Sequence, residues 1–280
     1  MSFTERALKV LKYNRLTAIG AGIVLLVILA GILAPLIAPY DPNVIDVPHR
    51  LGAPELKHLF GTDEMGRDIF TRVLYGCRIS VSVGIAIVCV SAFFGILFGS
   101  ISGYAGGKVD NVIMSVSDMV LSFPSMVLAL ALTASLGLGL FNTMLAVSIV
   151  KIPVYVRLVR GQVLSLKQRQ YVKAARTFGA PPFWIIWKHI IPNSLTPIMV
   201  QMTLGLGDAI LMAASMSFIG LGAQPPTPEW GAMVNSARAY AIDQWWYAAF
   251  PGLSILVTVV GFNLLGDGIR DILDPKSKQG

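Results

Sequence analysis

Charge is what this 280-residue sequence has least of: 13% of it is Asp, Glu, Lys or Arg, against about 25% in a soluble domain. Hydrophobic residues make up 55%, and the mean hydropathy is +0.69. A water-soluble fold of this composition would expose large apolar patches, so the chain reads as an integral membrane protein. Cysteine is also scarce. Cys77 and Cys89 fall on one helical stretch roughly 18 Å apart along its axis, too far to bridge each other. The three histidines, His49, His58 and His189, are scattered. Neither a metal-ligand cluster nor a nucleophile with its base is spaced for chemistry, so the chain is not read as an enzyme. A phosphate-binding G-x-x-x-x-G-K-[ST] loop is missing too. The nearest approach, SGYAGGKV at 102–109, lacks the first glycine and has Val109 where the hydroxyl belongs. No internal repeat is visible, which argues against a stand-alone secondary transporter built from paired halves.

What is present is a set of apolar windows. A bilayer core needs about 20 apolar residues per spanning helix. Charge-poor windows lie at 16–38, 79–104, 112–136, 142–156, 195–220 and 248–265. They predict an all-α membrane protein with six transmembrane helices, the fourth weakened by Lys151 and Pro153. The uncharged run from Met119 to Val150 is divided at GLGLFNT, 137–143, whose glycines and polar residues suit a tight turn. The first window is too long for a signal-peptide core and is not followed by a clear cleavage site, so it is read as a retained anchor. With both termini in the cytoplasm, fifteen of the 22 basic residues fall inside and six outside, as the positive-inside bias requires. The formal charge of +7 is then a topology signal, and nucleic acid is not an expected partner.

Residues 1–15 suit a short basic amphipathic helix on the inner surface, with Arg6, Lys9 and Lys12 at helical spacing. The outer segment 39–78 opens with turn chemistry and turns helical at GTDEMGRDIFTRVLYGCRIS. There Asp63 with Arg67, and Asp68 with Arg72, stand at i,i+4 spacing and predict a solvated interfacial helix face. In the last outer loop, QPPTP fixes a rigid turn and Glu229 and Trp230 are placed to begin a short helix. Trp230, Trp245, Trp246 and Tyr247 suit an aromatic belt at the membrane interface. Alternatively, Gln224, Glu229 and Trp230 meet a partner outside the membrane.

One inner stretch, YVKAARTFGAPPFWIIWKHIIPN at 171–193, interrupts the apolar pattern. Tyr171, Ala174, Ala175 and Phe178 fall on one helical face, with Arg169, Lys173 and Arg176 on another. Gly179 suits the position just past a helix end, and Pro181 and Pro182 stop that helix and start the next. Two short helices and a bend are expected, their alanines open to close approach by another surface.

Three ionisable residues fall inside the windows. Asp118 lies about 10 Å in from the cytoplasmic end of the third helix, and Lys151 about 9 Å in along the fourth. Equal depth predicts that they pair. Asp208 sits about 21 Å into the fifth helix beside Gly205 and Gly207. It has no obvious partner, and it either lines a cavity or makes an interhelical polar contact.

The run KAARTFG followed by IIP resembles the signature loop of ABC importer permeases: Glu-Ala-Ala, three residues, Gly, nine residues, Ile, any residue, Leu-Pro. Ala174, Ala175, Gly179 and Pro192 match at the right spacing. Lys173 replaces the usual Glu, His189 the Ile and Ile191 the Leu. FGTDEMGRDIFTRVLYG (60–76), GGKVDNVIMSVSDMVLSFPSMVLAL (106–130), FIGLGAQPPTPEWGAMV (218–234) and GFNLLGDGIRDILDP (261–275) also resemble the second, C-type permease of the peptide/nickel importers. The chain looks closest to dipeptide and D-alanyl-D-alanine permeases. The resemblance implies a type I ABC importer (MetI-like) permease fold in the bacterial inner membrane. On that pattern a first anchor (16–38) and an outer segment (39–78) precede a permease core (79–269), with a coupling loop at 160–193 and a cytoplasmic tail at 270–280. It also implies a homologous second permease, a substrate-binding protein outside, and two ATPase subunits that bind ATP and Mg, this chain holding no cofactor. Tyr171, Lys173, Ala174, Ala175, Phe178, Gly179 and Pro192 would then couple to an ATPase. Dipeptides or short oligopeptides lead as cargo, with nickel chelates and glutathione as alternatives.

Overall fold

The computed structural model describes residues 15–273. The expected amphipathic helix before Arg15 and most of the tail lie outside the described residues. The described residues form ten α-helices, numbered here in chain order, and contain no β-strand. Helix α1 (Arg15–Ile37) is apolar on all sides, as a helix facing lipid on one side and protein on the other must be. It packs on α2 (Ile69–Ala105) and on α10 (Trp245–Leu273). Helices α5 (Leu140–Lys167) and α8 (Ile191–Phe218) complete the bundle. Counting α8 with the short turns that lead into it, five helices among the described residues are long and apolar enough to cross a membrane.

The sixth expected span is not one straight helix. Residues 112–136 divide into α3 (Gly107–Ser122) and α4 (Ser125–Leu136), which meet at 97°. The cause is local. Proline disfavours α geometry in the residue before it, and Phe123, before Pro124, is extended at φ −91°, ψ 144°. Ser117 is the one buried residue of α3, so nearly all of that helix lies open. The turn at 137–139 does separate α4 from α5, as the glycines there predict.

Helices α2 and α5 share the most extensive contact in the bundle, and glycine is the reason. Gly95, Gly99 and Gly103 repeat every fourth residue along one face of α2. A Cβ at Gly95 would stand 2.1 Å from Tyr155 Cβ, at Gly99 2.7 Å from the Val156 carbonyl oxygen, and at Gly103 2.7 Å from Val163 Cβ. Small residues at every fourth position let two backbones approach closely within a membrane, where packing rather than water exclusion holds helices together.

The outer segment departs from expectation. Residues 61–68 form a tight loop rather than a helix. Gly66 lies at φ +76°, and a Cβ there would fall 1.8 Å from the Asp46 carbonyl oxygen, so the strap formed by 38–50 crosses this loop only because position 66 has no side chain. The charges are buried instead of solvated. Asp63 is 1% exposed and accepts from Arg67 Nε at 2.6 Å and from the Met65 and Arg67 backbone N–H groups. Asp68 does not pair with Arg72. It caps α2 by accepting from Thr71 N at 2.7 Å and meets His58 Nδ1 at 2.9 Å. Arg72 donates to the carbonyls of Pro42 and Pro226, tying the strap to the last outer loop.

That loop ends in α9 (Trp230–Ala237), with Glu229 as N-cap accepting from Ala232 N at 2.9 Å. Trp230 is not part of an interfacial belt. It is fully buried, its indole donates to the Val73 carbonyl at 3.1 Å, and its ring lies against Gly76. Tyr247 is buried as well and donates to Glu64, whereas Trp245 stays exposed.

Candidate functional site

Two features stand out at opposite depths of the bundle: a structured loop at the end where α2 and α5 finish, and a line of charges along the open side.

The loop runs from Gln168 to Ile190. Helix α6 (Gln170–Thr177) is strongly two-sided: Val172 is buried, while Tyr171, Lys173, Ala174 and Arg176 are exposed. It ends as the glycine predicts. Gly179 sits at φ +79°, its N–H donates to the Arg176 carbonyl at 3.0 Å, and Ala180 N donates to the Ala175 carbonyl at 3.1 Å. These two bonds satisfy carbonyls that the helix end would otherwise leave unpaired. Nothing lies within 4 Å of a Cβ at Gly179, so its backbone angle, not crowding, calls for glycine. Pro181 precedes α7 (Pro182–Ile185), and a wide π-turn at 186–190 leads into α8, near whose start Pro192 lies exposed. Beneath the loop, Val172, Ile185 and Ile190 bury themselves against Val159 and Val163 of α5 and Ile198 of α8. His189 adds an edge contact to Trp184, ring centroids 4.8 Å apart.

The expected alanine face is present but tilted. Tyr171, Ala174 and Phe178 point outward, Phe178 at 90% exposure. Ala175 is half-buried and packs on the cluster beneath the loop. The free surface of α6 is therefore Tyr171, Ala174 and Phe178 rather than all four residues. Phe183 and Trp187, stacked on each other and both exposed, extend this apolar surface, and the four-residue face drawn from α6 alone left them out.

The line of charges pairs differently from expectation. Lys151 of α5 donates to Asp208 of α8, and Arg157 of α5 donates to Asp118 of α3 at 2.7 Å. The depth argument for Asp118 with Lys151 assumed a straight third helix. The break at Phe123–Pro124 carries Asp118 to Arg157 instead. Lys151 and Asp208 both lie about 15 Å from the outer ends of their helices, which is what brings them together. Asp208 is therefore partnered. Its side chain is nevertheless 61% exposed, and those of Asp118 and Arg157 are more than half exposed. A charge at the bilayer centre costs about 2.5–3.5 kcal/mol, so this side of the bundle faces water or another protein. Between α2, α5 and α8 the pair borders a cleft of about 90 Å³ lined by Ser91, Tyr155, Gln201 and Gly205. Closer to the loop, Arg160 grips Asp110 through two bonds of 2.6 and 2.7 Å, tying α5 to the first turn of α3.

Of the three outer residues expected to meet a partner, Gln224 is exposed, but Glu229 and Trp230 are buried. Burial raises the Glu229 carboxyl above its ordinary value of 4.5, against the pull of hydrogen bonds from the α9 backbone, Ser217 and Ser80. Burial likewise raises Glu64. Both residues hold the outer loops together within the protein.

Comparison with known proteins agrees with this architecture. Residues 95–279 match the family described as binding-protein-dependent transport system inner membrane component. Residues 2–54 match the N-terminal TM domain of oligopeptide transport permease C. The chain is 54% identical over 267 residues to a probable D,D-dipeptide transport system permease protein of Escherichia coli (strain K12), covering 95% of this chain and 90% of that one. It is 46% identical to a dipeptide transport system permease protein of Alkalihalophilus pseudofirmus, covering 98% and 90%. It is 48% identical to a glutathione transport system permease protein of Escherichia coli O157:H7, covering 91% and 84%. The helical bundle, its loop and these matches together make the chain a member of the binding-protein-dependent transport system inner membrane component family, a multi-pass membrane permease subunit of an ABC importer.

Proposed function

We propose that this chain forms half of the translocation pathway of an ATP-driven importer of dipeptides or short oligopeptides, and that α6 is where the ATPase engages it. The observation that carries the reading is a short helix rooted in the bundle on one side and bare on the other. Tyr171, Ala174 and Phe178 offer an exposed apolar surface, Tyr171 leaning on the His189 ring. Val172, Ile185 and Ile190 anchor it to α5 and α8. A partner closing on α6 would thus move two spanning helices.

The other assignments follow from the same geometry. The basic bias of the sequence supports a cytoplasmic α6 loop and cytoplasmic termini. The open, charged side formed by α3, α5 and α8 is the side for a homologous second permease, the pathway running between the two. The outer segment 38–68 and the loop at 221–244 then face the binding protein, with Gln224 exposed there. ATP is hydrolysed by two separate subunits. In this chain SGYA, which opens the glycine-rich run at 102–109, is the last turn of α2, so the strand-loop-helix context of a phosphate cradle is absent there. The chain itself performs no chemistry. Dipeptides lead as cargo because two of the relatives described above are named for them. Glutathione, itself a short peptide, is the second reading, supported by the third relative.

The test is Ala174→Glu in the assembled transporter. Ala174 is exposed and Ala175 is not, so a charge at 174 disturbs docking while sparing the loop's own packing. Reconstituted complex should retain folding and peptide delivery but lose at least about tenfold in ATP-driven uptake. Normal uptake by this variant would remove α6 from the coupling role.

A further inference from the structure

We infer that the Lys151–Asp208 pair is a receiving site for the two charged ends of a zwitterionic peptide, opening to take its carboxylate on Lys151 and its ammonium on Asp208. The inference rests on the transport reading above and adds a subsite to it. Three observations support it. The pair stands about 15 Å below the outer helix ends, on the open side of the bundle, with Asp208 accessible. It borders a cleft whose other polar groups, Gln201 and Tyr155 among them, can donate to or accept from a peptide bond. Gly205 keeps that cleft open: a Cβ there would lie 2.8 Å from the Tyr155 hydroxyl.

Charge balance explains why a pair suits this cargo. Lys151 and Asp208 sum to zero, and so does a peptide with free ends. The empty pair is neutral, and the loaded one remains neutral, with one ion pair exchanged for two. A purely cationic or anionic solute would instead satisfy one partner and leave the other without its counter-charge. The lysine stem is flexible and can follow the carboxylate, whereas Asp208 is short and fixed on α8. The amino end of the peptide is therefore the more strictly positioned of the two.

The test compares end-capped dipeptides within each variant, so that defects in assembly or turnover cancel. Full complexes carrying wild-type, Asp208→Asn or Lys151→Gln permease are reconstituted with wild-type binding protein and ATPases. Uptake is measured for a radiolabelled dipeptide, its N-acetyl form and its C-terminal amide. Because the binding protein is the same throughout, its own preference for free ends also cancels in the ratio. Asp208→Asn should narrow the free-to-acetylated uptake ratio by about tenfold and leave the free-to-amide ratio unchanged. Lys151→Gln should do the reverse. Ratios that stay within about twofold of wild type in both variants would make the pair a helix-joining contact only and overturn the inference. No ATP-dependent uptake of any dipeptide by the wild-type complex would refute the peptide reading itself, and this site with it.

Discussion

Replacing Gly95 by alanine tests the physical basis of the bundle. The added methyl would stand 2.1 Å from Tyr155 Cβ and 3.1 Å from the Tyr155 backbone, where relaxed carbon contacts lie near about 3.5–4.0 Å. Tyr155 Cβ is fixed to the α5 backbone and cannot rotate aside, so the two helices must part by about an ångström. Overpacking of this kind costs about 1–3 kcal/mol, offset by up to about 1 kcal/mol because alanine favours the helix over glycine. With the full offset taken, the net loss is at most about 2 kcal/mol. At about 2–4 °C per kcal/mol for a chain of this size, the unfolding midpoint in detergent should fall by up to roughly 8 °C. Gly161→Ala is the matched control. It lies on α5 with nothing within 4 Å of a Cβ, so its midpoint should hold or rise slightly. Thermal unfolding of the two purified variants, side by side, decides the matter. If Gly95→Ala unfolds at or above the temperature of Gly161→Ala, close glycine packing does not hold α2 to α5.

Two further perturbations probe the outer side. Asp63→Asn leaves Arg67 and Arg72 buried without their shared carboxylate. Removing one partner from such a cluster should cost about 3–5 kcal/mol; a loss below about 1 kcal/mol in detergent unfolding would show that the arginines find other partners. Glu229→Gln should have a pH-dependent effect. The Glu229 carboxyl is raised in the folded protein by burial, so the fold binds its proton more tightly than the unfolded chain does. The stability this contributes is fully present below the ordinary value and is lost as pH rises through the raised one. The stability of wild type relative to Glu229→Gln should therefore shrink from pH 4 toward pH 7, and a difference that grows with pH would refute the assignment.

The helices were legible in the sequence because apolar length is a local property. The turn signals at Gly137–Gly139 and at Gly179 with Pro181 were legible because backbone strain is local too. The break at Phe123–Pro124 was written in SFPS, yet an uninterrupted apolar window hid it. That single omission also misdirected the ion pairs, since matching depths means little when one of the helices turns through 97°. Asp63, Arg67 and Arg72 read as solvated because i,i+4 spacing describes a helix, whereas Gly61 and Gly66 fold 61–68 into a loop that brings Asp63 to both arginines. The glycine repeat at 95, 99 and 103 was visible at every fourth position, but its partner, α5, is a tertiary fact. Likewise Trp230 carried no sign that an indole beside three prolines would end beneath α2 rather than at a membrane surface.

The patch under the α6 loop joins residues from both α5 and α8, so those two helices receive any displacement there as a common stroke. Each also supplies one partner of the Lys151–Asp208 contact about two-thirds of the way along its length. Under the proposed coupling, the Lys151–Asp208 contact is the tie that holds the same two rods together farther from the push.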